Sequence, residues 1–266
     1  MRILYFCTTW GQKMRGWDDF FTKIVAHGYQ GVETDLPAEG ERDVFMDGLD
    51  KYGLKFIAQH WETTTADMEL HRQQYEERLR KLAALKPLFI NSHTGKDFFS
   101  HEQNCSLLGI AEKVTRETGV QVLHETHRSR FAYAAHVTMP YLQENPTLRL
   151  TLDVSHWCAV AESLLQDQPE AIDMAIKHTA HIHARVGFAQ GPQVADPSLP
   201  EYKEALDFHL NCWDKVIRNC KDEFLCITPE FGPLPYMPIG QPPDQQWQNN
   251  LYIMNLLKTR YQLNQS

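Results

Sequence analysis

The chain has 266 residues, 42% of them hydrophobic and 23% charged, with a formal net charge of −8. That length is usual for a single (β/α)8 barrel, and the composition suits a soluble globular protein with a sizeable core. A duplex-binding surface needs a basic stripe to neutralise phosphates, and no Lys/Arg cluster stands out, so neither nucleic acid nor membrane is expected as a partner.

Short apolar runs alternate with longer amphipathic ones along the whole chain. Ile3 to Cys7 predicts a strand and Trp17 to Ala26 a helix, with Phe20, Phe21, Ile24 and Val25 at helical spacing before Gly28. Gln30 to Thr34, Leu54 to His60 and Leu88 to His93 read as the next strands. Between and after them, helices are expected at Glu41–Tyr52, Ala66–Leu85 and His101–Glu117. The fifth strand, Val120 to Glu125, precedes a helix from about Phe131 to Leu142. Leu148 to Asp153 is the sixth, with a helix between Cys158 and His178 that Pro169 interrupts. Ala180–Ala184 and Phe224–Glu230 complete the strands, and helices are expected at Pro200–Cys220 and Gln245–Tyr261. Eight strand-helix units in strict alternation imply a parallel sheet closed into one TIM barrel spanning residues 1–266. Two unusual loops, residues 185–200 and the proline-rich 229–243, would stand on its active face.

The six cysteines, Cys7, Cys105, Cys158, Cys212, Cys220 and Cys226, form no CxxC pair, and Met1 to Cys7 is short for a signal-peptide core. Reduced thiols in a cytoplasmic protein are the expectation. Met14, Met46, Met68 and Met174 are expected to be packing filler. His27, His71, His101, His136, His178 and His209 fall in helices or their caps and read as structural residues.

The residues closing the strands carry more chemistry. Glu33, His60, His93, Glu125, Asp153, His183 and Glu230 each stand at or near a strand's carboxyl end, where parallel α/β proteins place their sites. Strand alternation groups Gln121, Leu123 and Glu125 on one face, opposite His124; Arg149, Thr151 and Asp153 opposite Leu148, Leu150 and Leu152; His181 and His183 opposite Ile182; and Cys226, Thr228 and Glu230 opposite Leu225 and Ile227. A single strand-end carboxylate is more often a helix cap or an ion-pair partner. Several inside one barrel are costly unless a cation or protonation compensates them. Glu125, Asp153, His183 and Glu230 offer three oxygens and one imidazole, a donor set suited to one divalent ion, Mn2+, Mg2+, Co2+ or Zn2+.

The segments Leu123-His-Glu125-Thr-His127-Arg128, Leu152-Asp153-Val-Ser-His156, His181-Ile-His183 and Thr228-Pro-Glu230 resemble the xylose isomerase-like TIM barrel superfamily, nearest its sugar (phosphate) isomerase/epimerase group. The resemblance follows the whole chain by strand order. It implies that Glu125, Asp153, His183 and Glu230 bind the metal, that His156 and Arg185 contact substrate, and that the protein is an oligomer of identical chains. Where the epimerases carry a further glutamate soon after the first metal ligand, this chain has Ser129, Arg130 and Phe131, so substrate identity does not transfer.

The expected chemistry is isomerisation or epimerisation of a carbohydrate-like keto or hydroxy compound, by proton transfer through a metal-stabilised enediolate. Glu125 and Glu230 would form the acid/base pair. His156, His93, His60, Arg185, Glu33 and His127 would hold the substrate, and Trp10, Trp61, Trp157 and Phe131 would wall it. Two alternatives begin from the same residues. One is a metal-dependent dehydratase or lyase of a keto-sugar or keto-inositol. The other is a multi-metal phosphodiesterase like endonuclease IV, recruiting His60, His93, His156 and Asp196.

Overall fold

The computed structural model describes residues 1–13 and 15–262; Met14 lies outside them. Eight parallel strands close in sequence order into a barrel: β1 (Arg2–Thr8), β2 (Gly31–Thr34), β3 (Lys55–His60), β4 (Ile90–Ser92), β5 (Val122–Glu125), β6 (Leu150–Leu152), β7 (Thr179–His183) and β8 (Phe224–Thr228). Around them run α1 (Trp17–Ala26), α2 (Arg42–Tyr52), α3 (Met68–Ala83), α4 (His101–Thr118), α5 (Ala135–Glu144), α6 (Val154–Ala161), α7 (Pro169–His178), α8 (Lys203–Asn219) and α9 (Gln245–Gln262). The expected fold class is thus the observed one. No helix among the described residues is long and apolar enough to cross a membrane.

Local signals account for the helix ends. Ser100 and Gln103 form a reciprocal capping box at the start of α4, and Gly119 ends that helix at φ 75°, a left-handed conformation that costs glycine little. Two boundaries differ from expectation. α5 begins at Ala135 rather than Phe131, because Phe131 and Ala132 are drawn into the core. α6 begins at Val154, not near Cys158, because the Asp153 carboxylate caps it by accepting the Ser155 N–H at 3.0 Å.

Two apolar layers hold the barrel. Inside, Phe6, Ile57, Phe89, Leu123 and Cys226 form a plug. Outside, Val32, Phe56, Ala58, Ile90, Val122, Leu150, Leu152, Ile182, Leu225 and Ile227 pack against the helices, joined by Phe20, Phe21, Ile24, Leu79 and Trp213. Met46, Met68 and Met174 pack at the margin of this outer layer. The alternation expected in β5, β6, β7 and β8 is the one observed. Gly31 belongs to the inner layer, where a Cβ would stand 2.2 Å from the Phe6 ring, so the bulk of Phe6 demands glycine on the neighbouring strand. Toward the carboxyl ends of the strands the inner layer turns polar, with Glu33, Asn91, Glu125, Thr151, His181, His183 and Thr228 all buried.

Candidate metal centre and active-site mouth

At the top of that polar layer Glu125 (β5), Asp153 (after β6), His183 (β7) and Glu230 (after β8) each turn one ligand atom to a common point, these atoms lying within 4.8 Å of one another. All four residues are buried. Their support comes from below. The His183 Nε2–H donates to Glu33 Oε1 at 2.9 Å, which turns Nδ1 toward the carboxylates, 2.9 Å from Glu230 Oε2 and 3.5 Å from Glu125 Oε2. Nδ1 is buried and makes no hydrogen bond of acceptable geometry. An orphaned imidazole nitrogen aimed into three carboxylates is what a metal ligand looks like from the protein's side. The residues present therefore fit a divalent cation.

The rest of the polar layer orients these groups. Asn91 Nδ2 donates to Glu125 Oε2 at 2.8 Å and to Glu33 Oε1 at 3.0 Å, so its 3.2 Å approach to His183 Nε2 is proximity only. His93 Nε2 also donates to Glu125 Oε2, at 3.0 Å. Thr228 Oγ1 donates to Glu33 Oε2 at 2.6 Å and accepts from His181 Nε2 at 3.0 Å. Burial works against the Glu125 carboxylate, but His93 and His183 overcome it and hold its pKa well below the usual range. Burial likewise opposes Glu33, whose pKa His183 and His181 bring below normal. Burial disfavours a charged His183, yet Glu230, Glu33 and Glu125 hold its pKa well above the ordinary imidazole value. Asp153 moves the other way, raised by burial despite the Arg185 cation. Glu125 and Glu33 are thus held ionised by their imidazole neighbours, and Asp153 is the carboxylate whose charge burial disfavours.

Above the cluster opens a cavity of about 570 Å³, lined by Thr9, Trp10, Asp35, Gln59, Trp61, His93, Glu125, His127, Arg130, Arg185, Glu230 and Tyr236. Of the residues expected to hold substrate, His93, His127, Arg185 and Trp10 line it. The Arg185 guanidinium lies beside the paired rings of Trp10 and Tyr236, 5.8 and 5.5 Å from their centroids, and donates to Asp153 Oδ2 at 2.5 Å and to His156 Nε2 at 2.6 Å. The His127 ring packs on both His93 and His156, with centroids 4.2 and 3.9 Å apart. His156 is fully buried behind Arg185 and reaches the mouth through it. Glu33 lies beneath the metal-ligand set, not in the cavity, and its place corrects the expectation that it touches substrate.

His60 is corrected outright. It faces out of the barrel, where its ring nitrogens meet Ser92 Oγ and Thr63 Oγ1 at 3.0 and 2.8 Å and its ring packs on Tyr75 of α3. Its neighbour Gln59 takes the inward place and donates to Glu230 Oε1 at 3.4 Å. Trp157 and Phe131 are core residues, not walls; Trp157 Nε1 donates to the Ala132 carbonyl, and Phe131 packs on Tyr141. Trp61 does line the cavity, half exposed.

Sequence reasoning passed over Asn91 and Gln59, although alternation in β4 and β3 puts them on the faces of Phe89 and Ile57. It also passed over Arg130, whose guanidinium donates to the backbone carbonyls of Trp61, Thr63 and His93 and so ties together the loops after β3 and β4. Tyr236, brought in by the proline-rich loop, had no local signal. That loop and residues 185–200 meet at the mouth, as expected, where Gln193 exchanges hydrogen bonds with the Gly232 backbone at 2.7 and 3.2 Å.

No protein-family model matches the chain, and no curated protein matches it in sequence. Solved structures do resemble it throughout. A D-tagatose 3-epimerase-like protein superposes with a TM-score of 0.69 at 12% identity, covering 98% of this chain and 97% of that one. A xylose isomerase-like TIM barrel protein from Mycobacterium smegmatis in complex with magnesium gives 0.64 at 9% identity, covering 96% and 97%. Endonuclease IV from Thermus thermophilus gives 0.63 at 13% identity, covering 96% and 99%. Similarity at this level of identity extends across proteins of different activity and speaks to architecture alone. The chain shares with these structures the closed (β/α)8 TIM-barrel fold.

Proposed function

We propose that this protein is a divalent-metal-dependent isomerase or epimerase of a sugar-like keto or hydroxy compound. The observation that carries the reading is the pair Glu125 and Glu230, delivered by β5 and β8 to the floor of one cavity beside a cation-ready imidazole. The cavity is of the size that small-molecule sites take, about 300–1,000 Å³. A bound divalent cation would supply Lewis acidity to the negative charge that develops next to the substrate carbonyl. Glu125, kept ionised by His93 and His183 against its burial, is suited to take the proton from the carbon next to that carbonyl. Glu230 would return a proton to the adjacent or inverted centre. Arg185, His93 and His127 offer polar contacts for hydroxyls, while Trp10, Trp61 and Tyr236 give apolar faces.

The test is solvent exchange. Protein supplied with Mn2+ is incubated in D2O with a panel of ketoses and keto acids, and deuterium entering the carbon next to the carbonyl is followed by NMR. Glu230→Gln should abolish exchange with the fold intact; exchange at the normal rate in that variant refutes the paired-carboxylate assignment. Release of water with a new enone or diketone absorbance would instead identify a dehydratase.

The phosphodiesterase reading has one observation in its favour: His93, Glu125 and His127 form a second group of metal-compatible donors that shares Glu125. Against it, His60 faces away from the mouth, and Asp196 Oδ1 is occupied by Ser198 in a turn. A stoichiometry of two or three metals per chain with phosphodiester turnover would favour it.

A further inference from the structure

The geometry points to a second metal site, remote from the mouth: a zinc-class cation held by His101, Cys105 and Glu144 on the outer wall of the barrel. One ligand atom from each lies within 4.8 Å of the other two. His101 and Cys105 are four residues apart on α4, so the helical repeat puts them on one face, with His101 Nε2 3.4 Å from Cys105 Sγ. Glu144 is the last residue of α5, and its Oε2 meets the same His101 Nε2 at 2.7 Å. The sequence alone marks His101 as an ordinary helical histidine; only the packing of α5 beside α4 brings the other two donors to it.

Three features make this more than a surface ion pair. The His101 ring stacks on the buried Tyr141 of α5, centroids 4.4 Å apart and planes 28° from parallel, which holds its Nε2 toward the other two groups. Nitrogen, thiol and carboxylate together are a donor set for Zn2+, a borderline ion bound tetrahedrally through such ligands, the fourth position here falling to water. Its bonds of about 2.0–2.3 Å set ligand separations of roughly 3.3–3.7 Å. The His101–Cys105 distance already has that value, and Glu144, half exposed at a helix end, need retreat by less than about 1 Å. Finally, α5 ends without a basic residue in its last turn, so Glu144 stands at the negative pole of the helix with no cation on α5 to balance it. A divalent ion there would compensate both charges and staple the start of α4 to the end of α5, beside a groove of about 480 Å³ that Cys105 borders.

The Cys105 thiol is pushed up by burial and then by Glu144 and Glu102, so binding releases its proton to solvent as the metal–sulfur bond forms, and affinity rises with pH. The experiment is a Co2+ titration of the full chain. The mouth ligands include no sulfur, so a thiolate-to-cobalt charge-transfer band reports the outer site alone. Within two equivalents, one for each site, the band should appear and saturate at one thiolate-bound Co2+ per chain; Zn2+ should displace it, Cys105→Ser should remove it, and His101→Ala should weaken binding at this site about tenfold or more. In the wild-type protein, Zn2+ should also slow alkylation of Cys105, read by peptide mapping. The proposal is overturned if no thiolate band forms, if the band survives Cys105→Ser, or if Zn2+ leaves alkylation of Cys105 unchanged.

Discussion

Glu33→Gln separates supporting the metal ligands from touching substrate. In the folded protein the Glu33 carboxylate accepts three hydrogen bonds: His183 and Asn91 on Oε1, Thr228 on Oε2. Glutamine offers one acceptor oxygen in place of two. If that oxygen serves His183 and Asn91, the amide NH2 turns toward Thr228, whose hydroxyl then loses the acceptor it donates to at 2.6 Å. One buried hydrogen bond to a charged group is lost, at about 1.5–3 kcal/mol, and His183 keeps only a neutral acceptor behind it. Separately from that stability cost, second-layer partners of metal ligands typically change affinity 10–100-fold, or about 1.4–2.8 kcal/mol. Calorimetric titration with Mn2+ should therefore show 10–100-fold weaker binding, while KM at saturating metal stays near the wild-type value. Unchanged metal affinity with a raised KM would refute this and return Glu33 to the substrate.

His60→Ala should lower stability by about 2–4 kcal/mol through a buried cavity and the two hydroxyls left without their ring partner; denaturant melts and kinetics should show that loss without a change in KM, and a KM effect in a stably folded variant would contradict the outward placement. His209 is a buried acid switch for stability. Burial lowers its pKa to about 4, and its neutral ring donates from Nδ1 to the Ala205 carbonyl while Nε2 accepts the Gly187 N–H. The unfolded chain therefore binds the extra proton first. The stabilisation is complete above the ordinary value near 6.5 and is lost as pH falls toward 4, by roughly 3 kcal/mol. Urea unfolding across that range should show the slope in the wild-type protein and a shallower one in His209→Gln; equal slopes would discard the assignment.

The strand-helix alternation was legible because hydrophobic period is a local property, and so was the inward placement of Glu125, Asp153, His183 and Glu230. β6 and β8 present leucine and isoleucine on one face only, so the polar face announces itself. β3 was ambiguous: Phe56, Ile57 and Ala58 are apolar in succession, and nothing in that strand says whether Gln59 or His60 looks inward. The structure decides by placing Ile57 in the plug beside Phe6. Helix α6 hid its start for a related reason, since Asp153 both faces the cation site and caps the helix.

Taken by itself, the order of residues determined the eight-fold period, the polar strand ends and the donor chemistry they offer, because each depends only on spacing along a strand. Closure of the barrel decided the rest: that Glu33 lies under the ligands, that Asn91 joins Glu33 to Glu125, that Tyr236 and Arg130 wall the mouth, and that His101 meets Glu144. Those contacts join residues 34 to 195 positions apart in the chain. Strand stagger and loop packing set such distances, and no local pattern encodes them.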